Sequence, residues 1–228
     1  MHYRDLLKAA DLFMKDPHGY DCAYRRARQS VDWIHLNSLS REEIISKAIR
    51  FLNEWACRLD SAYFGEIADG MKEAFNQVNP LIALVENETL EDINFRAIKS
   101  VGGKEFDHFE IIHSIFAEFC GIGYRFRWVA ASKTLHQILP KLFVMWDNPI
   151  CEKLGLDLTT RSYVHDFLPL MQREANEAIR TCMEDQHCAH DVAIHSIVEK
   201  CRAICGYDKT LAKLVDEYNW LKYTKGCL

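Results

Sequence analysis

The fold class that the sequence predicts is all-α. Apolar residues recur at three- and four-residue spacing along most of the chain, and two-residue alternation is nearly absent. Glycine and proline, at 10 and 5 among 228 residues, are too sparse for a turn-rich β architecture. No composition shift, internal repeat or low-complexity tract marks a linker, so residues 1–228 read as one all-α domain. Two helical subdomains flanking a cleft are a variant of the same reading.

Taken in order, Tyr3 to Met14 sets Leu6, Leu7, Ala10 and Phe13 on one face and stops at Pro17-His18-Gly19. A second helix, from Asp21 to about His35, carries Arg25, Arg26 and Arg28 as a solvated basic face. Ser40 and Glu43 make a capping box, after which Ile44, Ile45, Ala48, Phe51, Leu52 and Trp55 share a face. Ala62 to Val78 continues the helical pattern and is expected to end at Asn79-Pro80. A helix from Leu81 to Asn87 and another, capped by Thr89 and reaching Ile98, are expected next. Ser100-Val101-Gly102-Gly103-Lys104 reads as a loop.

Asp107 then caps a helix carrying Phe109, Ile112, Ile115, Phe116 and Phe119. After Gly121-Ile122-Gly123 comes a helix from about Trp128 to Leu139, closed by Pro140. Asp147 or Asn148 caps the next one, with Pro149 in its first turn. The C-terminal helices, within residues 160–223, run from Ser162 to Met183, from His190 to Cys205, and from Lys209 to Tyr223.

Composition narrows the function classes. The apolar share of 49% and charged share of 27% are those of a globular protein, and no run of about 18 apolar residues could span a membrane. The N-terminus, MHYRDLLKAADLFMKD, is charged in its first turns and lacks an apolar signal core, so an intracellular, cytoplasmic protein is expected. With a net charge of −5, any nucleic-acid binding has to come from a local basic patch.

Nine cysteines, at 22, 57, 120, 151, 182, 188, 201, 205 and 227, lie mostly in apolar or helical stretches and read as buried thiols. Disulfides stay open for a chain from a hyperthermophile.

Residues 119–150 stand out. Gly121-Ile122-Gly123 runs into Tyr124-Arg125-Phe126-Arg127-Trp128, and no acidic residue falls between Glu118 and Asp147. Backbone amides of a glycine turn at a helix start can grip a phosphate. Arg125, Arg127 and Lys133 supply charge for phosphates, while interleaved aromatics stack on bases or wedge a duplex. The competing reading makes the aromatics core and the arginines solvated. Asp147 is likewise read in two ways, as a helix N-cap before Asn-Pro or as a functional carboxylate at the end of the apolar run Leu142–Trp146.

The order of helix, glycine turn, helix and short extended run ending in aspartate resembles the helix-hairpin-helix DNA glycosylase superfamily. LPKLFVMWDNPI is similar to that superfamily's stretch from the hairpin's second helix to its catalytic aspartate. AASKTLH is similar to the corresponding helix of uncharacterised relatives in which a Gly-x-Gly hairpin precedes it. The resemblance covers about residues 107–152.

What the resemblance implies is DNA as partner and a monofunctional N-glycosylase of base excision repair, with Asp147 in the catalytic position. The turn, Gly121, Gly123, Arg125, Arg127 and Lys133, would grip the phosphate backbone, and Tyr124, Trp128 and Trp146 are candidates for the base pocket. There are two departures. Counted back from Asp147, the family's hairpin glycines fall at Arg125 and Arg127. The position of the Schiff-base lysine falls near Val129, with Lys133 one turn further along as a substitute nucleophile.

The iron–sulfur members' spacing, C-x6-C-x2-C-x5-C, is not matched by the C-x5-C-x12-C-x3-C found here, so no cofactor is implied. Cys182, Cys188, Cys201 and Cys205, with His187, His190 and His195, lack the tight C-x2-C knuckle of a zinc site, and no metal ligand is assigned. His113 and His136 read as structural histidines. A non-enzymatic helical binding or scaffold protein that retains the fold without the chemistry is the alternative function; a metal-stabilised helical domain is a third. The sequence does not fix oligomeric state.

Overall fold

The computed structural model describes residues 1–228, and it is mostly helical with one small β-hairpin. Helix α1 is Tyr3–Met14 and α2 is Tyr20–Ser30. After a 3₁₀ turn at Trp33–Ser38, α3 spans 41–54, its middle at Ile44–Ile49 widened to a π-helix. Ser40 and Glu43 form the expected capping box at its start. Helix α4 is Phe64–Val85, and strands β1 (Ile98–Val101) and β2 (Lys104–Asp107) follow. Then come α5, His108–Cys120, α6, Trp128–Ile138, and α7, Asn148–Leu154. The last three are α8 (160–186), α9 (His190–Cys205) and α10 (211–225).

Two expectations are corrected between residues 79 and 107. Helix α4 does not stop at Asn79-Pro80. Met71, Ala74, Phe75, Val78, Ile82 and Val85 continue one buried stripe past the proline, which itself faces solvent. The carbonyl that Pro80 leaves unpaired is therefore on the wet side of the helix.

Second, no helix runs from Thr89 to Ile98; that segment is turns leading into the hairpin. Gly102 and Gly103 both take positive φ, +58° and +77°, which is the two-residue turn whose twist suits an antiparallel pair. The hairpin is largely exposed, so its strands carry little apolar alternation for a sequence reader to find.

The first helix packs with the last three, while α2 to α6 form a second group around them. One continuous apolar core joins the two, running from Tyr3 to Leu221. Helix α6 lies at its centre. From Ala130 to Ile138 every residue is buried, including Ser132, Lys133, Thr134, His136 and Gln137. No helix is long and apolar enough to cross a membrane.

Candidate functional site

The turn between α5 and α6 is pinned at two points. A Cβ added at Gly70 on α4 would meet Ile122 Cγ2 at 2.9 Å, so Ile122 sits directly on the backbone of α4. Phe126 is fully buried, and its N–H donates to Gly123 O at 2.7 Å. Between these anchors Tyr124 and Arg125 take φ of +50° and +68°. Asn-Gly fills such a turn without strain, whereas two consecutive residues with side chains cost about 1–3 kcal/mol each. The turn thus holds Tyr124, Arg125 and Arg127 outward and exposed.

Beyond α6 the chain turns at Leu139–Leu142 and then runs without regular structure from Phe143 to Asp147, with no strand beside it, so side chains pair much of the polar backbone there. His136 Nδ1 donates to Phe143 O at 2.6 Å, and Tyr163 Oη donates to Val144 O at 2.6 Å. Trp146 N donates to Ser132 Oγ at 3.4 Å, and the Trp146 indole N–H donates to Trp128 O at 3.3 Å. These bonds fix where Asp147 emerges. With Nδ1 of His136 donating, its Nε2 accepts from Tyr24 Oη at 3.0 Å, and burial, with Lys213 nearby, pushes the imidazole down to about 3. His136 is a neutral structural residue.

Asp147 and the turn open on one cavity of about 730 Å³. Its walls include Phe13, Tyr20, Trp55, Trp128, Trp146 and Trp220, and five cations, Arg58, Arg125, Arg127, Lys133 and Lys225, face two carboxylates, Asp147 and Asp216. This is a local positive excess in a chain of net charge −5. Asp147 both caps α7 and lines the cavity: its Oδ1 accepts from Ile150 N at 3.0 Å, while Thr224 Oγ1 reaches Oδ1 at 3.3 Å and Oδ2 at 3.2 Å. Oδ2 therefore takes no helix N–H. Lys133 is 8% exposed, and its Nζ donates to Trp55 O at 2.6 Å.

The expected site residues do not all converge. Trp128 lines the cavity; Trp146 does too, although it is 1% exposed and packs mainly on Tyr163 and Phe167. Tyr124 lies outside, 46% exposed and stacked on Tyr63 with ring centroids 4.9 Å apart. Gly121 and Gly123 shape the turn without lining the cavity.

Sequence reasoning missed the far wall. Asp216, Trp220 and Thr224 stand at i, i+4 and i+8 on α10 and so share one helix face. That spacing was visible, but nothing local distinguishes this face of LAKLVDEYNWLKY from a solvated one. It also missed the loop 55–59, where Ala56 and Arg58 take φ of +59° and +52°. Asn53 brackets the loop by accepting from Leu59 N at 2.7 Å and donating to Leu59 O at 3.2 Å.

Behind the cavity lies a buried ion network that reaches the wall at Asp216. Lys213 Nζ bonds Asp216 Oδ2 at 2.7 Å, and Lys209 Nζ bonds Asp21 at 2.7 Å and Glu217 at 2.8 Å. Burying an ion costs several kcal/mol, which only close pairing offsets. Burial holds the Asp216 carboxyl above its ordinary range, against the pull of Lys213 and Lys133, and Asp147 adds to the rise. Glu217 is raised by burial in the same way.

No family model, curated protein or solved structure matches this chain.

The other candidates resolve into structure. Arg28 donates to Gln137 O at the end of α6, Arg26 pairs with Glu54, and Arg25 lies over Tyr207, so the N-terminal basic cluster binds its own protein. His113 lies beside His165, away from the cavity. All nine cysteines are free thiols, and no three His, Cys, Asp or Glu side chains gather where they could hold a metal ion.

Proposed function

We propose that this chain is a DNA N-glycosylase of helix-hairpin-helix type, which takes a base flipped out of DNA into the cavity and breaks its bond to the sugar. The observation that carries the reading is that Asp147, Lys133 and the Arg125–Arg127 turn share one aromatic-walled cavity. Breaking the bond leaves an oxocarbenium-like sugar. A fixed carboxylate beside it stabilises the positive charge or orients the attacking water. Asp147 Oδ2 is suited to this because the helix cap occupies only Oδ1.

Arg125 and Arg127 are placed for the phosphates that flank the extruded nucleotide. Trp55, Trp128 and Trp220 offer apolar faces to the base, and Asp216, which when ionised only accepts hydrogen bonds, favours a base edge bearing N–H donors. The exposed Tyr63–Tyr124 stack beside the turn is a platform for a base left in the duplex.

Incubation with duplexes carrying damaged or mismatched bases, followed by alkali, tests the reading: base release is expected, and no release from any of them overturns it. If strand cleavage accompanies release without alkali, Lys133 becomes the nucleophile, and borohydride should then trap a covalent complex that Lys133→Met does not form. The scaffold alternative is favoured by one observation, that Asp147 is a complete N-cap. It predicts salt-dependent DNA binding without base release.

A further inference from the structure

We propose that Lys213, sealed in an aromatic box, is a positioning residue that keeps the Asp216 carboxylate ionised and aimed into the cavity to receive N–H donors of the occupant. The proposal relies on the glycosylase reading only for what that occupant is.

Geometry carries it. The Lys213 side chain has no exposure, and its Nζ sits 4.4 Å from the ring centroid of Phe13, 4.6 Å from that of Trp55 and 4.9 Å from that of Tyr24. An ammonium walled by three aromatic faces is held by their quadrupoles and has little freedom to leave. A methionine or leucine would fill such a box without the cost of burying a charge, so packing alone does not account for a lysine there. The direction of its bond does. Lys213 reaches Asp216 Oδ2 at 2.7 Å, closer than Glu217 at 3.4 Å, and Glu217 is already shared with Lys209.

Asp216 Oδ1, in contrast, takes no hydrogen bond from the protein and is not among the sealed unpartnered atoms, so it opens on the cavity. Asp216 is faced by Lys213 on its own helix, by Lys133 from α6 and by Asp147 before α7. Lys213 is faced also by Glu217, with Lys209, Asp21, Arg28, Tyr24 and His136 beyond. Burial keeps Tyr24 protonated and His136 neutral, so neither competes for the ammonium.

The test uses the full chain labelled with ¹³C at aspartate carboxyls and ¹⁵N at lysine side chains, titrated by NMR without ligand. In the wild type, the Lys213 ¹⁵Nζ signal should step at the Asp216 midpoint. Measured against Glu217→Gln alone, so that the loss of the neighbouring negative charge cancels, Lys213→Met combined with Glu217→Gln should raise the Asp216 midpoint by about 1–3 pH units, the usual reach of a close opposite charge. Lys213→Arg should leave it near the wild-type value.

An unmoved midpoint in the folded double variant overturns the proposal. So does a wild-type Lys213 signal indifferent to Asp216, which decides the matter if the variants fail to fold. On a duplex that the wild type processes, the Asp216 component of the acidic limb of kcat/KM should move up with the midpoint in the double variant and be lost in Asp216→Asn, leaving the limb set by Asp147. A shifted midpoint in a protein that releases no base upholds the positioning role and removes the glycosylase reading alone.

Discussion

Asp147 caps α7, and the proposed function gives its carboxylate a second job that a pair of substitutions separates from the first. Asparagine at 147 keeps an oxygen for the Ile150 N–H and for the Thr224 hydroxyl, and Asn and Asp are near-equal N-caps. Asp147→Asn should therefore change stability by less than about 0.5 kcal/mol. Asp147→Ala removes the cap and should cost about 1 kcal/mol, or roughly 2–4 °C in Tm for a chain of this size.

Chemistry divides the other way. Both variants lose the carboxylate, and removing one preorganised charge-stabilising group of this kind costs about 10²–10³ in rate. The assays are thermal melts and single-turnover base release on the best substrate of a damaged-duplex panel. The expected pattern is wild-type melting with lost release in Asp147→Asn, and both defects in Asp147→Ala. Release by Asp147→Asn within a few-fold of wild type would refute the catalytic assignment and leave the cap as the residue's whole role.

Three further outcomes follow from other parts of the site. Thr224→Val removes the hydroxyl bonded to both Asp147 oxygens while leaving the helix cap, so stability in urea melts should fall by about 1.5 kcal/mol, the worth of one hydrogen bond to a charged group, and release should fall about tenfold. Gly70→Ala drives a methyl into Ile122, and the clash of about 1–3 kcal/mol, set against roughly 1 kcal/mol gained in helix propensity, should leave a net loss of up to about 2 kcal/mol in urea melts.

For His136, the folded state resists protonation down to about 3, whereas the unfolded side chain takes its proton near 6.5. Stability should then fall as pH drops below about 6.5, by up to roughly 1.4 kcal/mol per unit from this residue. Asp216 and Glu217, with raised folded values, oppose that trend by binding protons more readily when folded. His136→Gln should remove the histidine part of the slope in urea melts at stepped pH.

The helices with strong local signals were legible. Ser40 with Glu43, Asp107 with Glu110, and Asp147 before Pro149 all start where their capping chemistry places them. Pro80 misled because a break signal is local, whereas the stripe from Phe75 to Val85 that overrides it is set by tertiary burial. The cavity was half legible. Arg125, Arg127, Trp128, Lys133 and Asp147 lie close together in the chain, so one stretch reveals them. Trp55, Arg58, Asp216 and Trp220 come from loops and helices far away in sequence and carry no motif. The burial of charged Lys213, Asp216 and Glu217 has no local sign, because the pairing that offsets it exists only in three dimensions.

The burial of α6 beyond its first turn bears on how the molecule breathes. Every residue from Ala131 to Ile138 is buried, so the amides of this stretch should be among those that exchange with deuterium only through global unfolding. Directly before it in the chain sits the strained Tyr124-Arg125 turn, exposed and free of core contacts at its tip. A fully buried stretch of helix thus follows a turn that is exposed at its tip and anchored by Ile122 and Phe126. Lys133 would stay fixed through local openings that release the turn, so Arg125 would change position while the cavity floor keeps its shape.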